Sequence, residues 1–455
     1  MEQNYEVESR QSLFSLTWPI FIEVFLYMIM GNADTIMLSR VSDQAVAAVG
    51  VTNQLISIAI VMFGFVASGA GVVISQYIGA KKEKEAIQVG AISLGINFLF
   101  GFTISMVMFF FSSSFLLWMN VPVELRDFAD QYFQIVGGFL FIQAILMTAS
   151  AQLRSNGFTK DTMFVSLGMN ILNIIGNLLF IFGLFGFPKL GVTGVAISTS
   201  VSRVIGLIVI LLILSRRLEH RFRLREFFRF KKEYVKQVLK IGIPAAGENL
   251  SYDSSQVMIT FFITMMGTAA LTTKVYTQTI SMFIFLFSVS VAQGTQILVG
   301  YLVGARKNED AYHTALRSLK MSMLVSVVVA TLFWILGNPL FHLFTHDDSI
   351  IQLGLKLLMI NIMLEIGRTF NLVLISSLRA TGDATFPVVM GVISMWGVSV
   401  SLSYLLGIVF NLGLVGVWIS FAMDEWIRGI LMFFRWKSRI WEKKVLFQQT
   451  HAING

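Results

Sequence analysis

Asp34 sits in the string "MIMGNADTIMLSR" (28–40), at the end of an apolar run that begins near Leu13. An acid placed centrally in a membrane helix costs about 2.5–3.5 kcal/mol on insertion scales, so it is a functional candidate by default. A lone carboxylate suits a proton, and a carboxylate among neutral oxygen ligands suits a hard cation. Those oxygens are within reach elsewhere in the sequence. Asn170, Asn173 and Asn177 are spaced i, i+3, i+7 and share one helix face. At a rise of 1.5 Å per residue, Asp34 lies ~8 Å inside the end of its run and Asn173 and Asn177 ~18 and ~24 Å along theirs. Thr199 lies ~10 Å into a third run, so the four residues are expected at similar depth. Asp34, Asn173, Asn177 and Thr199 therefore form the candidate proton or cation site. The alternative is that Asp34 hydrogen-bonds the asparagines and locks the helices together.

A second set lies late in the chain. Glu365, Arg368 and Asn371 fall at i, i+3, i+6, and Glu248 follows Pro244 with Asp253 five residues on. A Glu–Arg pair would neutralise the buried cation and leave another acid free. Glu23, Glu248, Asp253, Glu365, Arg368 and Asn371 are accordingly candidates for substrate binding or secondary coupling, with structural pairing as the alternative. Asp424, Glu425 and Arg428 share one run and read as self-neutralising. Met28, Met30 and Met37 flank Asp34. Flexible thioethers suit promiscuous contact with flat cations, which makes the three weak cavity candidates.

Enzymatic chemistry finds no footing. No Gly-rich phosphate loop with Lys-Ser/Thr occurs, so ATP is not the expected energy source. The five histidines are His220, His313, His342, His346 and His451, and only His342 and His346 are four apart. No metal site is expected beyond Na⁺ at Asp34, and no cofactor beyond the coupling ion, H⁺ or Na⁺. With no cysteine, compartment cannot be read from thiol chemistry.

The elements that must position these residues follow from composition. Hydrophobic residues make up 55% of the 455-residue chain and charged residues 13%, about half the usual charged share. Mean hydropathy is +0.74. Apolar runs of roughly 20 residues recur throughout, which is an all-α integral membrane pattern and not the alternating segments of a barrel. Twelve runs are expected as helices, at about 13–38, 46–79, 88–112, 126–154, 161–186, 192–215, 239–266, 271–304, 312–337, 349–379, 384–409 and 413–437. The start, "MEQNYEVESRQS", lacks the basic region of a cleaved signal, so the first run is expected to remain as a helix.

Charge sets the orientation. The loops after the second, fourth, sixth and eighth runs are basic, as is the tail with Arg435, Lys437, Arg439, Lys443 and Lys444. The intervening loops hold little beyond Arg40, Arg126, Lys189 and Lys274. Both termini are therefore expected on the cytoplasmic side of a bacterial-type cytoplasmic membrane. The net charge of +8 follows from this topology, and the basic 216–240 stretch reads as a solvated linker meeting anionic lipid, with no nucleic-acid partner expected.

One offset of 225 residues pairs "YIGAKKEKEA" (77–86) with "LVGARKNEDA" (302–311), and Pro19 and Glu23 with Pro244 and Glu248. It also pairs "LRSNG" (153–157) with "LRATG" (378–382). "LGVTGVAIS" (190–198) matches "LGLVGVWIS" (412–420) at offset 222. A duplication results. An amino-terminal six-helix lobe (1–215), a basic linker (216–238), a carboxyl-terminal six-helix lobe (239–437) and a tail (438–455) are expected. Six helices per half give both lobes one orientation, a parallel-repeat transporter architecture.

These repeats, with "NIIGNLLFIFG" (173–183), "GVTGVAIST" (191–199) and "EIGRTFNLVLISSLRATGD" (365–383), resemble the multidrug and toxic compound extrusion (MATE) family over essentially the whole chain. The resemblance implies a non-enzymatic antiporter, monomeric, exporting small cationic amphipathic compounds by alternating access and driven by inward H⁺ or Na⁺. It also implies an amino-lobe cation site at Asp34 with partners on the fifth and sixth helices. Some members carry Asp where this chain has Asn177, leaving a single carboxylate here. The alternative reading is a flippase for lipid-linked or glycan substrates of the related superfamily. That reading favours a cavity rich in Arg and Lys, whereas the embedded charges here lean acidic.

Overall fold

The computed structural model describes residues 12–218 and 230–446. The acidic start, most of the basic linker with His220, and the tail beyond 446 with His451 lie outside the described residues. The described chain is built from helices. In order they are α1 (Leu13–Leu38), α2 (Asp43–Gly79), α3 (Glu83–Phe110), α4 (Ser112–Trp118), α5 (Val123–Tyr132), α6 (Leu140–Ser155), α7 (Thr159–Phe182) and α8 (Val192–Arg217). Then come α9 (Lys232–Thr264), α10 (Thr268–Gly304), α11 (Asn308–Ile335), α12 (Gly337–His342), α13 (Asp348–Thr381), α14 (Thr385–Ser394), α15 (Ser401–Tyr404) and α16 (Gly413–Lys437).

Among the described residues nine helices are long and apolar enough to cross a membrane, and the α5–α6 pair, bent by 43°, makes a tenth. A π-helical turn, Phe133–Gly137, precedes that bend. The other two expected runs are also helical, as α9 and α16, but both carry several charges. The eleventh run is α14 and α15 joined by π-helical turns at Met395–Val400 and Leu405–Val409. The short α4 and α12 had no counterpart in the expected runs. The fifth run stops early, at Phe182, because Gly183 takes a left-handed conformation (φ 68°) and caps the helix. Lys274 is a correction: it lies in the second turn of α10, buried, and not in a loop. Its ammonium donates to Thr260 Oγ1 on α9.

The chain divides into two compact units. One holds Trp18–Ile74 and Lys82–Gly242 (the N unit). The other holds Ile243 onward, with Ser75–Lys81 and the chain up to Thr17 (the C unit). The division falls inside α1, α2 and α9.

Each unit is held by close packing and by polar bonds inside it, because lipid removes most of the hydrophobic drive for helix association. In the N unit Phe63, Phe133, Leu140, Val195 and Ala196 form a buried cluster. Asn97 Nδ2 there donates to Thr148 Oγ1 (2.7 Å) and Ala144 O (3.0 Å). In the C unit Val299, Ala315, Leu378, Trp436 and Trp441 are packed together, and Thr369 Oγ1 lies 2.7 Å from both Ser288 Oγ and Ser326 Oγ. Such bonds contribute about 0.6 kcal/mol each on average in membrane proteins. Outward faces are apolar: Val257, Phe261 and Leu324 are 71%, 60% and 66% exposed. That is the surface a helix bundle presents to lipid.

Candidate functional site

In the N unit, α1, α7 and α8 bring the four expected residues together. Asn177 Nδ2 donates to Asp34 Oδ1 (2.6 Å), and Thr199 Oγ1 donates to Asp34 Oδ2 (3.3 Å). Asn173 Nδ2 donates to Thr199 Oγ1 (3.1 Å). Asn177 Nδ2 is 3.4 Å from Asn173 Oδ1. All four side chains are buried. Asn170, the third member of the α7 face, donates to Ser166 O (2.9 Å) and does not join the group.

A glycine permits this geometry. A Cβ on Gly176 would collide with the Ser198 side chain on α8. The bare backbone lets α7 approach α8 until Ser198 Oγ donates to Asn173 O (2.8 Å). That contact fixes the turn carrying both asparagines. Asn177 Oδ1 is buried with no hydrogen-bond partner. A half-turn of this amide would exchange donor for acceptor in front of the carboxylate, so the oxygen set can face either a proton-bearing acid or a cation. Among the described residues no cluster of three or more His, Cys, Asp or Glu exists that would hold a metal more firmly.

Met30 is buried, Met28 and Met37 are half-buried, and Met37 packs against the cluster around Leu38 and Ala45. Glu23 takes no part in the Asp34 group. It accepts from Arg154 Nη1 (2.8 Å) and Thr162 Oγ1 (2.7 Å). In the C unit Glu248 pairs with Arg379. The two acids are 225 residues apart, and so are the two arginines, which belong to the repeated "LRSNG" and "LRATG". The duplication thus carries one ion pair in each unit. Both halves were visible as separate repeats, and their pairing with each other was not.

The remaining C-unit candidates form a larger cluster across α13 and α16. Arg368 Nη1 meets Glu365 Oε1 (2.6 Å), and its Nε meets Glu425 Oε1 (3.5 Å). Asn371 Nδ2 donates to Glu425 Oε2 (2.8 Å). Arg428 Nη2 bridges Asp424 Oδ2 (2.8 Å) and Glu425 Oε1 (3.1 Å). Ser394 Oγ donates to Asp424 Oδ1 (2.6 Å). Three acids face two arginines. Glu365 is 0% exposed and its Oε2 has no partner. Beside the cluster lies a cavity of about 330 Å³ whose wall includes Tyr252, Phe285, Phe421, Arg368, Asp424 and Glu425. Asp253 is exposed on α9 and stands apart from the cluster.

Arg203 on α8 is buried near Asp34 and did not figure among the candidates. The signal was available: it is a lone arginine four residues after Thr199 in an otherwise apolar run.

Comparison with known proteins extends the picture. A family model described as MatE matches residues 19–179 and again 244–405. The two matches begin 225 residues apart, the offset of the internal repeat. "Uncharacterized transporter YisQ" of Bacillus subtilis (strain 168) is 53% identical over 433 residues, covering 95% of this chain and 95% of that protein. "Probable multidrug resistance protein NorM" of Thermotoga maritima is 28% identical over 446 residues, covering 96% and 94%. Among solved structures, "Crystal structure of MATE in the bent conformation" superposes with a TM-score of 0.87 at 22% identity, covering 94% of each chain, which speaks for the fold alone.

Proposed function

The chain belongs to the MatE family and is a multi-pass membrane transporter, and from that premise we propose that it is an antiporter driven by H⁺ or Na⁺ that exports cationic amphipathic compounds. The observation that carries the reading is the hydrogen bonding of Asp34. Its carboxylate accepts from Asn177 and Thr199, neutral donors on two other helices, and no cationic side chain forms an ion pair with it among the described residues. A structural acid in lipid is best satisfied by a permanent positive partner, as Glu23 is. Asp34 instead rests on neutral groups. Protonation of the oxygen facing Thr199 requires that hydroxyl to turn from donor to acceptor. A cation requires the Asn177 amide to turn its oxygen inward. Either event rearranges contacts among α1, α7 and α8, and so biases an equilibrium between conformations. Antiport then requires ion and drug to favour different states.

The protein works in this reading as a monomer in a bacterial cytoplasmic membrane, with both termini cytoplasmic and no cofactor beyond the coupling ion. The two six-helix lobes, 1–215 and 239–437, supply the moving parts. Small amphipathic cations and membrane lipids are its partners. In the C unit, the Glu365–Arg368–Glu425 cluster and its aromatic cavity wall provide a second surface for such a cation.

The test is dye efflux from proteoliposomes under an imposed pH gradient and, separately, an imposed Na⁺ gradient. One gradient should drive export in the wild type and fail in Asp34→Asn. Unchanged efflux and ion dependence in that variant would falsify the coupling role.

A further inference from the structure

Lys274 is 7% exposed, in the second turn of α10, and its ammonium donates to Thr260 Oγ1 on α9. Among the described residues no carboxylate pairs with it and no other hydrogen bond engages it. An ammonium carries three donors, so its remaining N–H groups have no protein acceptor. A cation left this way inside a membrane span is a functional candidate by default. The duplication does not account for it, because the residue 225 positions earlier is Val49.

Its place is one end of the C-unit cavity. Val275, Gln278 and Phe285 line that cavity from α10, and Gln256 lines it from α9. Lys274 stands one turn before Gln278, and Thr260 one turn beyond Gln256, so the bond between them caps the cavity there. At the other end the Arg368 guanidinium lies over the Phe285 ring (5.5 Å to its centroid), ~16 Å further along α10. The charges at that end are paired, Arg368 with Glu365 and Glu425, and Arg428 with Asp424. The charge at the Lys274 end is not. Low-dielectric walls screen an unpaired charge poorly, so its field extends into the cavity. We infer that Lys274 sets the substrate class of this cavity, an inference that rests on reading the cavity as a surface for cations. It admits monocationic amphiphiles, with the ammonium toward Glu425 and the apolar end toward Lys274. It rejects dications whose second charge would arrive beside Lys274.

Ligands that share one chain and differ at its far end provide the test. Decyltrimethylammonium is a monocation, a hydroxyl-ended analogue is a monocation with a polar end, and decamethonium carries a second trimethylammonium there. Binding to the detergent-solubilised full chain is followed by isothermal titration calorimetry. Wild type should bind both monocations, and decamethonium at least about tenfold more weakly than either. Lys274→Gln should tighten decamethonium about tenfold and leave the monocations within about twofold. Lys274→Arg keeps the charge and should discriminate as wild type does. Thr260→Val removes the hydrogen bond and keeps the charge, so it should discriminate too. If Thr260→Val instead tightens decamethonium as much as Lys274→Gln, the lysine only braces α9 against α10, and the inference fails. Should Lys274→Gln not fold, wild type decides through the two polar-ended ligands: equal binding of decamethonium and the hydroxyl-ended analogue overturns the inference. Discrimination that survives in Lys274→Gln, or wild type that binds monocations and decamethonium alike, overturns this inference alone. Wild type that binds none of the three overturns the cation reading of the cavity with it.

Discussion

Asp34 in the N unit and the Glu365–Asp424–Glu425 group in the C unit are both acids buried in apolar surroundings, yet their partners differ in kind. Asp34 is met by an amide and a hydroxyl. The C-unit acids are met by two guanidinium groups: Arg368 links α13 to α16, and Arg428 pairs with two acids of α16. Neutral donors can be turned or displaced at small cost, whereas removing one charge from a buried, paired set exposes the rest to uncompensated burial. The first arrangement is suited to change occupancy, the second to hold helices. The scaffold that carries them is repeated, since each unit keeps its own Glu–Arg pair and its own helix proline. Asp34 has no acidic counterpart, position 259 being Ile.

Stability measurements on detergent-solubilised protein can break this contrast. The largest effect is expected from Arg428→Met, which strands Asp424 and half of Glu425 and should cost about 3–5 kcal/mol of unfolding free energy. An unchanged thermal midpoint would show that the cluster does not hold α16. Asp34→Asn, by contrast, should leave the midpoint nearly unmoved while abolishing ion-driven efflux.

Gly176→Leu should come next. The added side chain meets Ser198, separates α7 from α8, and should cost about 1–3 kcal/mol as overpacking. Because the asparagine turn moves with it, gradient-driven export should fall even where folded protein is recovered. Retained export at wild-type rates would mean that the α7–α8 approach does not tune the site.

Glu23→Gln and Glu248→Gln sharpen the repeat itself. Each leaves an arginine without its anion, at about 1–3 kcal/mol. The two losses should agree, and neither variant should change which ion drives export. A shift in ion preference for one alone would make that residue part of the coupling machinery. Asp253→Asn should be the smallest change, within about 0.5 kcal/mol, because the residue is exposed and outside the cluster.

Much of the fold was legible because membrane helices announce themselves by length and apolarity, and because a duplication repeats its landmarks. The expected 192–215, 271–304 and 413–437 fall within a few residues of α8, α10 and α16. The bend between α5 and α6 was passed over: the π-turn at Phe133–Gly137 carries no charge or proline, and its one mark is the pair Gly137 and Gly138. Lys274 was misplaced because a basic residue near a run's end reads as a loop charge, and nothing local reveals that Thr260 waits on the neighbouring helix. The Asp34 set was found through depth arithmetic, which works because straight helices convert residue number into height. Height says nothing of azimuth. Shared face in turn says nothing of height: Asn170, grouped with Asn173 and Asn177 by spacing, stands about a turn earlier on α7 and bonds Ser166.

What the sequence determined by itself was the set of apolar runs, the 225-residue repeat, and which acids must be accounted for inside them. Those are properties of composition and spacing along one dimension. Which partner Glu23, Glu248 and Asp34 received was decided by tertiary structure alone. Glu23 meets Arg154 across 131 residues of chain, Glu248 meets Arg379 across 131 more, and Asp34 meets Asn177 across 143. Electrostatic and hydrogen-bond partners are chosen by helix rotation and close approach, and these depend on packing around Gly176 and its like, which no local pattern records.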